Sequence, residues 1–366
     1  MSLRDLSELG QSAWVDHLSR RFVHQGELDT LISVGVAGVT SNPTIFQQAI
    51  AEGDGYDEQL REVLRTEEDP QEVFLQLARD DVRDACDKFA PIFERGDATR
   101  DGWVSLEVNP NLAGDAEATT AEARRLAGLV DRRNMFVKIP GTEAGLEAIE
   151  NTIANGIPVN VTLLFSLQRH LAAAEAYLSG LRRLHADGGD LHQVASVASF
   201  FVSRVDTEAD RRLDEIGGHD DLKGKLAIAN AKLAYQSYLE RFRGPEWDEL
   251  VAAGGSPQRC LWASTSTKNP AYRDVMYVEE LVGPETVNTM PRETIYAFQD
   301  HGRAEPTLDR DVNEARRTLE RLAQAGVDYD DVVAVLEREG VQKFADSFKQ
   351  LLDGVAAKRD QLVASW

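Results

Sequence analysis

"MFVKIP", residues 135–140, is a short apolar run that ends in a turn at Pro140-Gly141 and holds one lysine in its interior. A run of this length and composition reads as a buried strand, and burying an ammonium is costly unless the site uses or compensates it. Side chains alternate between the two faces of a strand. Met135, Val137 and Ile139 therefore share one face, and Phe136 and Lys138 share the other.

The same design recurs along the chain. Further apolar runs are "SAWVDHL" (12–18), "VAGVTSN" (36–42), "GWVSLEV" (102–108), "PVNVTLL" (158–164), "QVASVASFF" (193–201), "RCLWAST" (259–265) and "TVNTMP" (286–291), which makes eight with the first. Amphipathic helical stretches lie between most of them, for example 118–133 and 163–184. Strands alternating with helices predict a parallel sheet, and eight such units predict a closed (β/α)8 TIM barrel. The alternative, a doubly wound open sheet, ordinarily has a glycine-rich phosphate loop after its first strand, and this chain has none. Residues 44–101 predict extra helices between strands 2 and 3, and 206–258 is also long and helical. We expect a single domain over 1–366, with a helical C-terminal extension over about 305–366.

In a barrel the apolar face of each strand meets the helices and the other face points inward. This parity places Asp16 inside on the first strand, Thr40 and Asn42 on the second, and Ser105 and Glu107 on the third. It places Phe136 and Lys138 inside on the fourth strand, and Asn160 and Thr162 on the fifth. The polar members lie toward the C-terminal ends of their runs, the end at which barrel enzymes keep their active sites. Trp14 shares the inward parity, either as cavity lining or as barrel filling.

Composition narrows the partners. The chain has 366 residues, 62 of them acidic and 40 basic, for a net charge of −22. That charge excludes nucleic acid and anionic membranes as partners. No apolar stretch reaches the length of a membrane span, and the N-terminus lacks the apolar core of a secretion signal. Cys86 and Cys260 lie far apart, suit no metal or disulfide motif and read as packed core residues, which fits a reducing cytoplasm. An acidic surface repels anionic metabolites, so a phosphorylated substrate needs local cations.

A lysine desolvated in an apolar wall loses proton affinity, and the free amine attacks carbonyls to form a Schiff base. The iminium is an electron sink next to which a C–C bond can break or form. Asp16 suits the proton of a substrate hydroxyl, and Glu107, through a water held by Thr162, suits formation and hydrolysis of the carbinolamine. There are seven histidines, and only His17 lies in one of the eight runs, on the outward parity. No metal site and no cofactor are implied.

The stretches "VTSNPTIF" (39–46), "SLEVNPNLAGDAEATTAEA" (105–123), "MFVKIPGTEAGLEAI" (135–149), "IPVNVTLLFS" (157–166), "ASFFVSRVD" (198–206) and "LWASTSTKNPAYRDVMYVEELVGPETVNTMP" (261–291) resemble the transaldolase family, in order, over roughly residues 12–300. The resemblance implies a Schiff-base barrel enzyme that moves a dihydroxyacetone unit between sugar phosphates in the pentose phosphate pathway. It implies that sedoheptulose 7-phosphate and glyceraldehyde 3-phosphate exchange with erythrose 4-phosphate and fructose 6-phosphate. Lys138 matches the family's Schiff-base lysine, Asp16 its acid/base aspartate, and Glu107 with Thr162 its water-activating pair. Asn42 and Asn160 match asparagines that hold substrate hydroxyls or the carbinolamine. Ser199 matches a serine lining the site, and Arg204 matches the phosphate-binding arginine. After the seventh strand many relatives carry an arginine shortly after "AS", whereas here Lys268 comes a little later. Lysine binds phosphate as a point charge without the bidentate fork. Ser264 and Lys268 are assigned to phosphate on that basis. Tyr272, nearby, is a site wall or a loop anchor.

Two other readings compete. A metal-free fructose-6-phosphate aldolase would use the same lysine and release free products without an acceptor. A catalytically idle barrel, kept as a binding partner, would show a broken set of site residues. We expect a monomer or homodimer acting on small sugar phosphates.

Overall fold

Eight parallel strands close into a barrel in the order of the chain. They are β1 (Gln11–Asp16), β2 (Val36–Thr40), β3 (Trp103–Glu107), β4 (Met135–Pro140), β5 (Val159–Leu164), β6 (Ser196–Phe201), β7 (Arg259–Ala263) and β8 (Thr286–Met290). The computed structural model describes residues 3–51, 55–95 and 101–363, so the last residues of the expected extension, 364–366, lie outside it. Each predicted run contains one strand, and the chain is a TIM barrel.

The outward faces are apolar because the helices cover them. Val104, Leu106, Val137, Ile139, Val159 and Val161 are all fully or almost fully buried. Helix starts are set by side-chain caps: Thr142 Oγ1 accepts from Gly145 N at 3.0 Å and Ser166 Oγ accepts from Arg169 N at 3.0 Å. Among the described residues three helices separate β2 from β3: Pro43–Ala51, Asp57–Val63 and Pro70–Arg95. After β8 the helix Arg292–His301 completes the barrel layer, followed by Val312–Ala325 and the long helix Tyr329–Val363.

Aromatic rings fill the barrel floor. Phe136 stacks on Trp103 with ring centres 4.1 Å apart and lies 6.2 Å from Trp14. Trp14 is therefore filling. Gly38 makes room for it, since a Cβ there would lie 2.6 Å from the indole. Below these rings Arg259 Nη2 donates to Ser12 Oγ at 2.6 Å and to Thr286 O at 2.7 Å. Ser12 Oγ and Trp14 Nε1 donate in turn to Asp101, at 2.9 and 3.2 Å. This network plugs the N-terminal end.

The C-terminal helix crosses the opposite mouth. Val332, Leu336, Phe344, Phe348, Leu351 and Val355 form its buried stripe, at the three- and four-residue spacing of one helix face. Gly340 falls in this stripe, and a Cβ there would lie 3.0 Å from Leu163 Cδ2. The small residue brings the helix down onto the end of β5. Its ends are fastened by Arg212–Asp331 at 2.8 Å and Lys358–Asp57 at 2.9 Å, and Thr44 Oγ1 donates to Ser347 Oγ at 2.8 Å between them.

Candidate active site

Strand register builds the site. Glu107 pairs with Lys138 across β3 and β4, and Lys138 pairs with Asn160 across β4 and β5. Three inward side chains thus stand in one row. Asp16 and Thr40 are paired likewise across β1 and β2. The row needs β4 and β5 to end close together, and Gly141 permits it: a Cβ there would lie 2.5 Å from Leu164 Cδ2.

Lys138 is buried, with Nζ 3.4 Å from Glu107 Oε2 and donating to Ser41 O at 3.0 Å. The apolar wall expected around it is absent on this face. In-register neighbours each contribute a polar group, and the ring of Phe344 is centred 5.8 Å away. Glu107 Oε2 and Thr162 Oγ1 are buried without hydrogen-bond partners, and buried polar atoms of this kind are ordinarily satisfied by a bound molecule. Asn160 is held at both ends, donating to Ser105 Oγ at 3.1 Å and accepting from Ser199 Oγ at 2.7 Å.

Asp16 Oδ1 accepts from Thr40 Oγ1 at 2.7 Å, and Thr40 is 2.7 Å from Thr289 Oγ1. Burial raises the Asp16 carboxyl above the ordinary range, opposed by Lys138, the Thr40 hydroxyl, Arg204 and Lys268. Burial pushes Glu107 up to about 7, against the pull of Lys138. The site thus holds two buried carboxyls, Asp16 and Glu107, both raised above the ordinary range and both acted on by the lysine.

A cavity of about 270 Å³ opens above this set at the C-terminal ends of the strands. Asp16, Asn42, Lys138, Thr162, Ser199, Arg204, Ser264 and Lys268 line it. Glu107 and Asn160 stand beside Lys138 in the row. All ten residues singled out from the sequence therefore converge on one place. Asn42 Oδ1 caps the helix after β2 by accepting from Ile45 N at 3.1 Å, which orients its amide. Arg204 projects from the first turn of the helix Ser203–Ile216, a position suited to anions. Ser264 has a left-handed backbone, φ 57°, and its hydroxyl lies 2.9 Å from that of Ser203. Lys268 Nζ donates to Ser266 Oγ at 2.8 Å. Tyr272 is the anchor of this loop, donating to Asp210 Oδ2 at 2.5 Å.

Among the lining residues not singled out in the sequence, three bear on the chemistry, Thr289, Lys343 and Phe344. Thr289 has the inward parity of β8 and was findable by the same alternation. Lys343 and Phe344 come from the C-terminal helix, and no local pattern marks them. A wider surface groove of about 830 Å³ is lined by mixed charges such as Arg20, Glu58, Glu62, Arg79 and Asp80, and takes in none of the inward-facing residues.

Comparison with known proteins agrees with this geometry. The family model described as Transaldolase/Fructose-6-phosphate aldolase matches residues 13–355. The chain is 49% identical over 362 residues to the transaldolase of Saccharopolyspora erythraea, covering 98% of each chain. It is 51% identical to that of a Parafrankia species, again covering 98% of each. With transaldolase 2 of Streptomyces coelicolor the identity is 48%, over 100% of this chain and 99% of the relative.

Proposed function

The chain belongs to the transaldolase/fructose-6-phosphate aldolase family and is a transferase with transaldolase activity in the pentose phosphate pathway, and we propose that Lys138 is its Schiff-base nucleophile. The reading is that it moves a dihydroxyacetone unit from a ketose phosphate, sedoheptulose 7-phosphate or fructose 6-phosphate, to an aldose phosphate. One observation carries it: the in-register row Glu107–Lys138–Asn160, with Asp16 across the same cavity.

Glu107, 3.4 Å away, takes the proton that frees the Lys138 amine. The amine adds to the ketone carbon of the donor. Glu107 then returns a proton to the carbinolamine oxygen, which leaves as water and gives the iminium. Glu107 Oε2, which has the Lys138 ammonium at 3.4 Å but makes no hydrogen bond, and the buried Thr162 Oγ1 are the groups that hold this water. Asp16 accepts the proton of the hydroxyl on the far carbon of the bond to be broken, which becomes the aldehyde carbon. The electrons of that C–C bond flow into the iminium to form an enamine, and an aldehyde leaves. A new aldehyde accepts the enamine carbon, its oxygen recovers the proton from Asp16, and the retained water hydrolyses the product iminium. Asn160, clamped by Ser105 and Ser199, and Asn42 hold the hydroxyls of the retained unit. Arg204, Ser264 and Lys268 hold phosphate at the mouth. Two buried thiols, Cys86 and Cys260, support a reducing, cytoplasmic setting.

Borohydride trapping tests the assignment. After incubation with fructose 6-phosphate, reduction and digestion, a three-carbon adduct is expected on the peptide containing Lys138. A folded protein that yields no adduct would sink the mechanism.

A further inference from the structure

We propose that Lys343, on the C-terminal helix, is a third phosphate-binding cation of this site and sets the preference for phosphorylated over unphosphorylated sugars. The inference rests on the transaldolase reading above and extends it to a residue outside the eight strand–helix units.

Three cations reach the mouth from three separate elements. Arg204 comes from the helix after β6, Lys268 from the loop after β7, and Lys343 from the helix Tyr329–Val363; all line the same cavity. Their fields overlap. Lys343 is held below the usual lysine range first by the Arg204 charge, then by burial and by Lys268, and Lys268 also feels Arg204. Other lysines of the same helix are paired, Lys349 with Asp353 at 2.7 Å and Lys358 with Asp57 at 2.9 Å. Among the described residues, Arg204, Lys268 and Lys343 have no carboxylate within ion-pair distance, in a chain with 62 acidic residues. The acidic groups that act on Arg204 are Asp16, inside the site, and Glu339, one turn before Lys343. Like charges gathered without counter-ions repel one another, and a phosphate dianion relieves that repulsion.

The seating of the helix carries Lys343, itself exposed, to the rim of the cavity. Gly340 brings the backbone against Leu163, next to Thr162. Phe344 is buried with its ring 5.8 Å from Lys138 Nζ, and Ser347 is bonded to Thr44. Adjacent residues of one helix thus face the two ends of a bound sugar phosphate, Phe344 the carbonyl end and Lys343 the phosphate.

The test is Lys343→Gln in the full chain, with Lys343→Arg as the charge-preserving control. For Lys343→Gln the KM for fructose 6-phosphate should rise about tenfold while kcat changes less than about twofold. Inhibition by inorganic phosphate should weaken by the same factor, and kcat/KM for unphosphorylated fructose as donor should stay unchanged. Lys343→Arg should restore KM to within about threefold of the parent. Unchanged KM and phosphate inhibition would overturn the inference. So would an equal loss with fructose, which would show that the change had only displaced the helix. Borohydride trapping of the parent protein separates the two levels. An adduct on Lys138 without any Lys343 effect defeats only this inference, whereas no adduct defeats the mechanism and this inference with it.

Discussion

Glu107 Oε2 and Lys138 Nζ are 3.4 Å apart because β3 and β4 bring their residues into direct register. The pair is buried, and the carboxyl that is counter-ion to the amine is, in the proposed mechanism, also its proton carrier. Removing either partner leaves the other buried without compensation.

The pH dependence of turnover follows from Glu107. Burial raises its carboxyl to about 7, so the base form is lost well above the pH at which an exposed glutamate would lose it. We expect kcat/KM to fall about tenfold per pH unit below the midpoint. Glu107→Gln should lower the rate by about 10²–10⁴-fold and abolish that acid limb. A pH–rate profile checks this; an acid limb of unchanged midpoint in the variant would assign it to another group.

In the proposed mechanism Asp16 acts after the Schiff base has formed. Asp16→Asn keeps the contact with Thr40 but cannot take the hydroxyl proton, so turnover should drop by about 10²–10⁴-fold. Lys138 should still be trapped by borohydride with fructose 6-phosphate, now as a six-carbon rather than a three-carbon adduct. A three-carbon adduct at the parent's rate would remove Asp16 from the cleavage step.

Gly38→Ala tests the floor. The added Cβ would lie 2.6 Å from the Trp14 indole, which is fully buried. Overpacking of this kind should lower the unfolding free energy by about 1–3 kcal/mol, read by urea titration. Unaltered stability would mean that the ring layer yields without strain.

Asp206 links stability to pH. It accepts from Ala227 N at 2.7 Å and Tyr277 Oη at 2.8 Å, and burial pushes it up to about 7 from its ordinary 3.8. Between those values the folded protein binds more protons than the unfolded chain, so this group's contribution falls as pH rises and its loss is complete above about 7. Asp206→Asn should therefore gain on the parent by roughly 2–4 kcal/mol between pH about 4 and 8. Melting curves at both ends of that range measure it; a constant difference would refute it.

Much of the barrel was legible because its strands keep a strict inside–outside alternation. Lys138 among Val137 and Ile139 declares its face without any structure. Parity gives a side chain's face but not its height along the axis, which is why Trp14 stayed ambiguous until Gly38 and Phe136 located it in the floor. Lys343 was illegible for another reason. In a 35-residue amphipathic helix it looks like any exposed lysine, and only docking through Gly340 and Phe344 turns it toward the mouth. Surroundings were harder to read than positions: the apolar lysine pocket became a polar one because four neighbouring strands all point hydroxyls, amides or carboxyls inward.

The plugged floor governs the order of events. With Arg259, Asp101 and the Trp14–Phe136–Trp103 layer closing one end, the cavity is a cul-de-sac with room for one small ligand. The departing aldehyde and the incoming one share a single doorway, so the first must be gone before the second arrives. Initial-rate plots against donor at several fixed acceptor concentrations should be parallel lines, the ping-pong pattern of an enzyme that waits, covalently loaded, between its two partners.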